Sequence, residues 1–125
     1  MKYLLLVYND DTLLDELPVG EADSMMRGCF EHADALRDKG HLIDSQQLEA
    51  PATAKTVRVR GGRLSVVDGP FAETKEMLGG FNLIEANSFD EAVRIAAELP
   101  WTRTGCVEIR PVRDISEVRR RVGAA

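Results

Sequence analysis

His32 is the side chain best suited to acid–base chemistry in this chain, because imidazole is the one side chain whose ordinary pKa lies near neutrality. At roughly 100° per residue along a helix, it falls about 60° from Cys29, at the side of an apolar stripe and beside Met25 and Leu36. A histidine at such a boundary can be half buried and still meet a ligand. The alternative is a histidine that only hydrogen-bonds a neighbouring group.

The segment Asp68-Gly69-Pro70-Phe71 combines turn-forming residues with a carboxylate and an aromatic ring. Proline restricts its own φ, glycine adopts dihedral angles that other residues avoid, and aspartate can bond backbone amides two residues further on. These properties by themselves predict a rigid turn. The alternative is a turn that also lines a ligand pocket with the Asp68 carboxylate and the Phe71 ring.

Three more ionisable residues, Glu73, Lys75 and Glu76, follow this turn and precede the glycine pair Gly79-Gly80. We expect them on a loop that is pinned at both ends, and such loops often close over binding sites. Glu73 is nearest to the turn and is the best ligand-binding candidate of the three. The alternative is that the charges only solvate a connecting segment.

Glu108 and Arg110 alternate with Val107 and Ile109 on the last predicted strand. If the two apolar residues face the helices, the carboxylate and the guanidinium face the opposite side, where we expect a second subunit. A buried pair of this kind is costly unless its hydrogen bonds are satisfied. We therefore interpret the two residues as an ion pair, with polar lining of a cavity as the alternative.

Apolar periodicity and turn signals predict the elements that position these residues. Residues 3–8 are all apolar or aromatic, so both faces of the first strand should be covered. The predicted elements are strands at 3–8, 41–49, 80–86 and 106–112, a hairpin at 57–66, helices at 20–39 and 88–99, and a tail helix at 114–122. All of them belong to one domain that spans residues 1–125.

The glycine pair Gly61-Gly62 predicts a hairpin with a two-residue turn. In the resulting register, the apolar residues of 57–60 and 63–66 face each other on a side that we expect to join the core. The other side is basic, with Arg60 opposite Arg63. Like charges in this position destabilise a hairpin modestly, so the two arginines should splay into water or hold an anion.

The order of elements predicts a ferredoxin-like α+β fold, with an antiparallel sheet, two helices on one face and an inserted β-hairpin. The other face of the sheet then needs a cover, because an exposed apolar face of this size normally marks an interface. A homodimer that packs sheet on sheet would provide that cover.

Composition narrows the class of partner. The 16 basic and 21 acidic residues give a formal charge of −5, which argues against nucleic acid or an anionic membrane and favours a small or neutral ligand. The two cysteines form neither a zinc motif nor a disulfide framework, and no metal or cofactor motif is visible. The apolar start is too short for a signal peptide or a membrane span, so we expect a cytoplasmic protein.

The chain resembles the YCII-related family, specifically its DGPF-domain type. The resemblance rests on residues 1–6, the hairpin strand 56–59, the segment Asp68-Gly69-Pro70-Phe71 and the final strand 107–112. It implies a dimeric α/β barrel. Relatives include a dehydrochlorinase of aromatic catabolism and many proteins that are encoded beside alternative sigma factors.

The resemblance also implies a histidine–aspartate pair, because members with a proposed activity use such a dyad and carry a helical histidine similar in place to His32. Asp68 is the first choice for its partner, and Asp44 on the second strand is the runner-up. Such a pair would suit cofactor-free elimination or hydrolysis of a small organic molecule. The alternative is a noncatalytic regulatory module that senses a ligand or contacts a sigma factor.

Overall fold

A four-stranded antiparallel sheet with two main helices on one face forms the body of the computed structural model, which describes residues 1–125. The strands are β1 Lys2–Asp10, β2 Leu42–Gln47, β3 Lys55–Arg60, β4 Arg63–Asp68, β5 Glu76–Glu85 and β6 Gly105–Pro111. The helices are α1 Asp11–Asp15, α2 Glu21–Asp38, α3 Phe89–Ala97 and α4 Ser116–Arg121, with 3-10 turns at Pro51–Thr53 and Pro100–Thr102. The predicted α+β fold and the predicted order of its elements are confirmed.

The strand β1 lies inside the sheet, whose order is β2-β5-β1-β6. Tyr3, Leu5 and Val7 point toward the helices and are buried, whereas Leu4 and Leu6 point to the other face and stay half-buried in the single chain. This alternation explains the unbroken apolar run, because both sides of the strand carry apolar surface.

The helix-facing core is built where apolar stripes of the helices meet β1 and β5. Met25 and Leu36 come from α2, and Ala92, Ile95 and Ala96 come from α3. The N-terminus of α3 is capped as predicted: the Ser88 hydroxyl accepts a hydrogen bond from the amide of Glu91 at 3.1 Å. None of the helices is both long enough and apolar enough to cross a membrane.

The opposite face of the sheet has no covering layer within the chain. Cross-strand pairing places Leu4 opposite Leu83 and Leu6 opposite Phe81, which forms an apolar strip along β1 and β5. Glu108 on β6 lies beside Leu6 on this face, while Val107 and Ile109 pack toward the core. We call this the open sheet face.

The hairpin of β3 and β4 has the predicted register, with Val57 opposite Val66, Val59 opposite Leu64 and Arg60 opposite Arg63. Both turn glycines have positive φ, at 57° and 76°, as a tight two-residue turn requires. The expectation that one side joins the core is wrong. The hairpin forms a sheet of its own, and all four of these apolar side chains are more than half exposed because no layer of the chain packs on them.

One element was not predicted, and one predicted boundary needs correction. The segment between residues 9 and 20 contains the short helix α1, whose start is capped by Asp10 accepting from the amide of Thr12 at 2.9 Å. The strand β5 starts at Glu76, four residues before the predicted start at Gly80, so Glu76 belongs to the sheet. Pairing of β1 with β5 continues past a register shift between Val7 and Tyr8, which extends the ladder to Glu76.

Gly105 is required by the close approach of β6 to β1, because a Cβ there would collide with the backbone carbonyl of Tyr8. Gly105→Ala should lower the free energy of unfolding by about 2–3 kcal/mol, since the obstacle is backbone and cannot rotate away. The matched control is Gly28→Ala in α2, where a Cβ meets nothing within 4 Å. It should stabilise the chain by about 0.5–1 kcal/mol. Urea unfolding measures the free energy of unfolding of both variants. Equal changes in the two variants would contradict a close approach of β6 to β1 at Gly105.

Candidate functional site

His32 belongs to α2, and its ring lies against the C-terminal end of α3. Its Nε2 donates to the backbone carbonyl of Ile95 at 3.2 Å, and its Nδ1 lies 3.4 Å from the Glu98 carboxylate. The ring is only 12% exposed. The ring therefore already has a partner on the helix layer through Nε2, and Glu98 pairs with Nδ1 when the ring is protonated, as in the interpretation of a histidine that hydrogen-bonds a neighbour.

Asp68 lies at the end of β4 and is mostly exposed. Its carboxylate contacts the ammonium of Lys55 at 2.6 Å across the hairpin. The following turn is held by backbone bonds: Gly69 has a positive φ of 97°, donates to the carbonyl of Ala54 at 2.7 Å and accepts from the Thr56 hydroxyl at 2.9 Å. The geometry agrees with a rigid turn, and Phe71 beyond it is 79% exposed.

The structure does not bring the proposed dyad together, since His32 and Asp68 have separate partners. The runner-up Asp44 is exposed and accepts from the amide of Ser45 and the side chain of Gln46. Glu73 is exposed as well. None of these residues, nor Phe71, lines either of the two pockets described below.

Glu108 and Arg110 lie on the open sheet face, as their alternation with Val107 and Ile109 predicts. The guanidinium of Arg110 lies 3.5 Å from the Glu108 carboxylate, and the side chains form an ion pair that stays accessible to solvent. Glu108 lines a pocket, and so do Lys75 and Glu76, which rank below Glu73 as candidates from the sequence.

One pocket lies on the helix side of the sheet, beneath α2. Its volume is about 760 Å³, and 14 of its 28 lining residues are hydrophobic. Met26, Cys29 and Ala33 line it from α2, and Trp101 lines it from the turn after α3. We call it the α2 cavity. Its size and its mixed lining are those of a site for a small organic molecule.

Polar groups enter the α2 cavity from the strands. Asn82 on β5 accepts a hydrogen bond from the Ser45 hydroxyl at 2.5 Å, and Asn9 on β1 accepts one from the Thr104 hydroxyl at 2.8 Å. Gly80 lies on the same face of β5 as Asn82, and it adds no side chain to the cavity floor between Asn82 and Asn9. The floor of the cavity therefore has amide groups at fixed positions and open space between them.

A second group of polar side chains lies at one end of the open sheet face, and we call it the sheet-face cluster. Tyr8 donates to Glu108 at 3.2 Å, and the thiol of Cys106 donates to Glu76 at 3.1 Å. The members of the cluster that line its open pocket are Tyr8, Asp10, Lys75, Glu76, Cys106 and Glu108. Lys75 contacts the buried Asp10 carboxylate at 3.8 Å.

Both hydrogen-bond donors of the sheet-face cluster hold their protons tightly. The bond to Glu76, with burial and the negative charges of Glu76 and Glu108, raises the pKa of the Cys106 thiol. Burial, followed by the bond to Glu108, raises the pKa of Tyr8. At neutral pH the cluster therefore presents two neutral acids, each paired with a carboxylate.

Sequence reasoning missed the amides of the α2 cavity and three members of the sheet-face cluster, namely Tyr8, Asp10 and Cys106. Tyr8 could have been predicted, because successive side chains of β1 alternate between the two faces of the sheet. This alternation places Tyr8 on the face that was predicted for Glu108. Cys106 and Glu76 are thirty residues apart in sequence and meet only because β5 and β6 both flank β1. Nothing in the local sequence indicates that contact.

Comparison with known proteins identifies the family. The YCII-related domain matches residues 1–116. The chain belongs to the YCII-related family. An uncharacterized protein of Rhizobium meliloti (strain 1021) is 37% identical over 114 residues, which cover 90% of this chain and 92% of that protein.

A solved structure is also similar, namely 5-chloro-2-hydroxyhydroquinone dehydrochlorinase from Burkholderia phenoliruptrix AC1100 in complex with 2,5-dihydroxybenzoquinone. The two chains share 16% sequence identity, and the match has a TM-score of 0.46. It covers 90% of this chain and 94% of the dehydrochlorinase.

The raised pKa of Cys106 gives a prediction about alkaline pH. The folded state binds the thiol proton of Cys106 more tightly than the unfolded state does. The protonated thiol therefore contributes its full stabilisation below the pKa of the unfolded state, and this contribution is lost as the pH rises through the pKa of the folded state. Glu76→Gln removes the negative charge and should lower the pKa of Cys106. The ¹³Cβ chemical shift of Cys106, followed from neutral to alkaline pH, measures the change, with Cys29 in the same spectra as the control. An unchanged Cys106 titration would show that Glu76 does not hold the thiol proton.

Proposed function

We propose that this member of the YCII-related family binds a small organic molecule in the α2 cavity. The observation that carries the proposal is the cavity itself, whose volume of about 760 Å³ is within the range of small-molecule sites. Its walls are apolar on the α2 side, where Met26, Cys29 and Ala33 lie, and polar on the strand side. Such a lining stabilises an apolar body by burial and orients it by a few hydrogen bonds.

A second candidate function is cofactor-free acid–base catalysis at the sheet-face cluster. The supporting observation is that two neutral acids, Tyr8 and Cys106, each lie against a carboxylate at hydrogen-bond distance. In such pairs the acid can give a proton to a leaving group, and the carboxylate can accept one from the substrate or from water. Elimination or hydrolysis would fit this arrangement. A joint role for His32 and Asp68 would require both to leave their present partners, and it stays a prediction.

A noncatalytic role as a ligand sensor is the alternative that the α2 cavity also supports. In that case ligand binding would change the affinity for a protein partner, and a sigma factor remains the candidate from the family resemblance. The two roles differ in a measurable way. A sensor retains its ligand unchanged, whereas an enzyme converts the ligand and releases a product.

We further propose that two copies of the chain pack through their open sheet faces, as in a dimeric α/β barrel. The strip formed by Leu4, Leu6, Phe81 and Leu83 is apolar and has no cover within one chain. A two-fold arrangement would set this strip against its own copy and bury it on both sides. It would also enclose the sheet-face cluster between the subunits.

Filling part of the α2 cavity should weaken ligand binding. Ala33→Leu adds three carbon atoms to the cavity wall, so neutral aromatic fragments that bind the wild type should bind this variant at least about tenfold more weakly. Ala35→Leu is the matched control, because Ala35 is exposed on the same helix and does not line the cavity. Saturation-transfer-difference NMR with a fragment mixture measures binding. Equal signals from the two variants would place the fragments elsewhere.

Placing a charge on the open sheet face should separate the dimer. Leu6→Lys puts an ammonium in the middle of the apolar strip, where the Glu108 of the same chain lies beside it and can pair with it. Light scattering should give about twice the chain mass of 13.8 kDa for the wild type and 13.8 kDa for the variant. Val19→Lys, on a fully exposed side chain before α2, is the control and should stay dimeric. A wild type with the mass of one chain would refute the dimer.

A further inference from the structure

Asn82 is a buried amide that has a hydrogen-bond partner for only one of its two polar atoms. The residue is 7% exposed, and its Oδ1 accepts from the Ser45 hydroxyl at 2.5 Å. Its Nδ2 donates to no group of the chain. No fully buried side-chain nitrogen or oxygen in the structure lacks a partner. The Asn82 nitrogen must therefore be reachable, and the α2 cavity is the opening that Asn82 lines.

The hydroxyl of Ser45 fixes the direction of this donor. A carboxamide has an oxygen that accepts and a nitrogen that donates two hydrogens. Because Ser45 donates to the oxygen, the nitrogen side of the group is the one left for the cavity. Asn9 repeats the arrangement with the Thr104 hydroxyl, so the cavity floor offers donors at two places. Preorganised donors of this kind select a ligand atom that accepts.

The charges around the α2 cavity decide between a neutral and an anionic acceptor. Five carboxylates line the cavity against a single guanidinium, that of Arg37, which itself lies 3.5 Å from Asp34. These carboxylates belong to Asp11, Asp15, Asp23, Asp34 and Glu49. A negative potential of this kind repels an anion, whereas a carbonyl oxygen accepts the same hydrogen bond without that cost.

We infer that the α2 cavity takes an uncharged carbonyl compound, with its apolar body against Met26, Cys29 and Trp101 and its oxygen bound to Nδ2 of Asn82. The inference rests on the proposed function, since it names the ligand class of the same cavity. A ligand that lacks the acceptor and covers the buried amide of Asn82 leaves its nitrogen unpaired, and such a ligand binds more weakly. Asn82 is then the residue that determines specificity.

Three probes with the same aromatic body test the inference: 2-acetonaphthone, 2-ethylnaphthalene and 2-naphthoate. The ketone should bind at least about tenfold more tightly than either the hydrocarbon or the carboxylate. In ¹H–¹⁵N spectra of the wild type, the side-chain amide signals of Asn82 should shift with the ketone alone. This readout needs no substitution.

Two variants complete the test. Asn82→Asp replaces the donor by an acceptor of the same shape and should remove the preference for the ketone. Ser45→Ala keeps the amide but removes the hydroxyl that orients it, so it should weaken ketone binding several-fold and keep the fold. Ser45→Ala therefore tests the mechanism even if the buried charge of Asn82→Asp prevents folding.

The outcomes separate this inference from the proposed function. If the ketone and the hydrocarbon bind equally and Ala33→Leu blocks both, the cavity binds ligands without Asn82, and only the carbonyl inference fails. If 2-naphthoate binds most tightly, the acidic lining does not set the ligand charge, and the inference also fails. If no probe binds the wild type, both the inference and the proposed function fail.

Discussion

The pairing of β1 with β5 on one side and β6 on the other is the constraint on which the rest of the structure depends. It buries Tyr3 and Leu5 against the helices and leaves Leu4 and Leu6 on the open sheet face. Because successive side chains alternate between the faces, one strand supplies both the helix-facing core and the apolar strip. Both candidate sites also take residues from this strand.

The two candidate sites lie on opposite faces of the sheet at the same end of β1. Tyr8 points to the sheet-face cluster, and the next residue, Asn9, lines the α2 cavity. The register shift between Val7 and Tyr8 and the glycines of β5 lie at this level of the sheet. A Cβ at Gly80 would come within 2.8 Å of the Gln46 carbonyl, so this position is restricted to glycine by the approach of β2. The same requirement leaves the cavity floor without a side chain at that point.

Polar groups at the two sites differ in what they can do. In the sheet-face cluster, Tyr8 and Cys106 donate to carboxylates, so protons and negative charge lie side by side in a partly desolvated place. In the α2 cavity, the amides of Asn9 and Asn82 have fixed orientations and act as neither acids nor bases at neutral pH. The first arrangement suits proton transfer, and the second suits recognition. A protein that binds on one side of a sheet and reacts on the other would need a ligand path around the sheet edge, so we treat the two as separate candidates.

The sequence by itself determined the elements whose signals are local. The apolar stripe of α2, the Ser88 cap of α3 and the register of the hairpin around Gly61-Gly62 were all predictable, because each depends on residues within one or two turns of chain. The face of the sheet that carries Glu108 was predictable for the same reason. Family membership also followed from the sequence.

Only the tertiary structure decided which side chains meet. His32 lies against Ile95 and Glu98, more than sixty residues away in sequence, because α2 and α3 share one face of the sheet. Asp68 faces Lys55 through the register of the hairpin itself, and only the tertiary structure shows that this hairpin forms a sheet of its own instead of joining the core. The amide of Asn82 gained its partner from the neighbouring strand β2, and the thiol of Cys106 gained its partner from β5, on the far side of β1. Local sequence carries the periodicity of each element, whereas the distances between elements depend on how the layers pack.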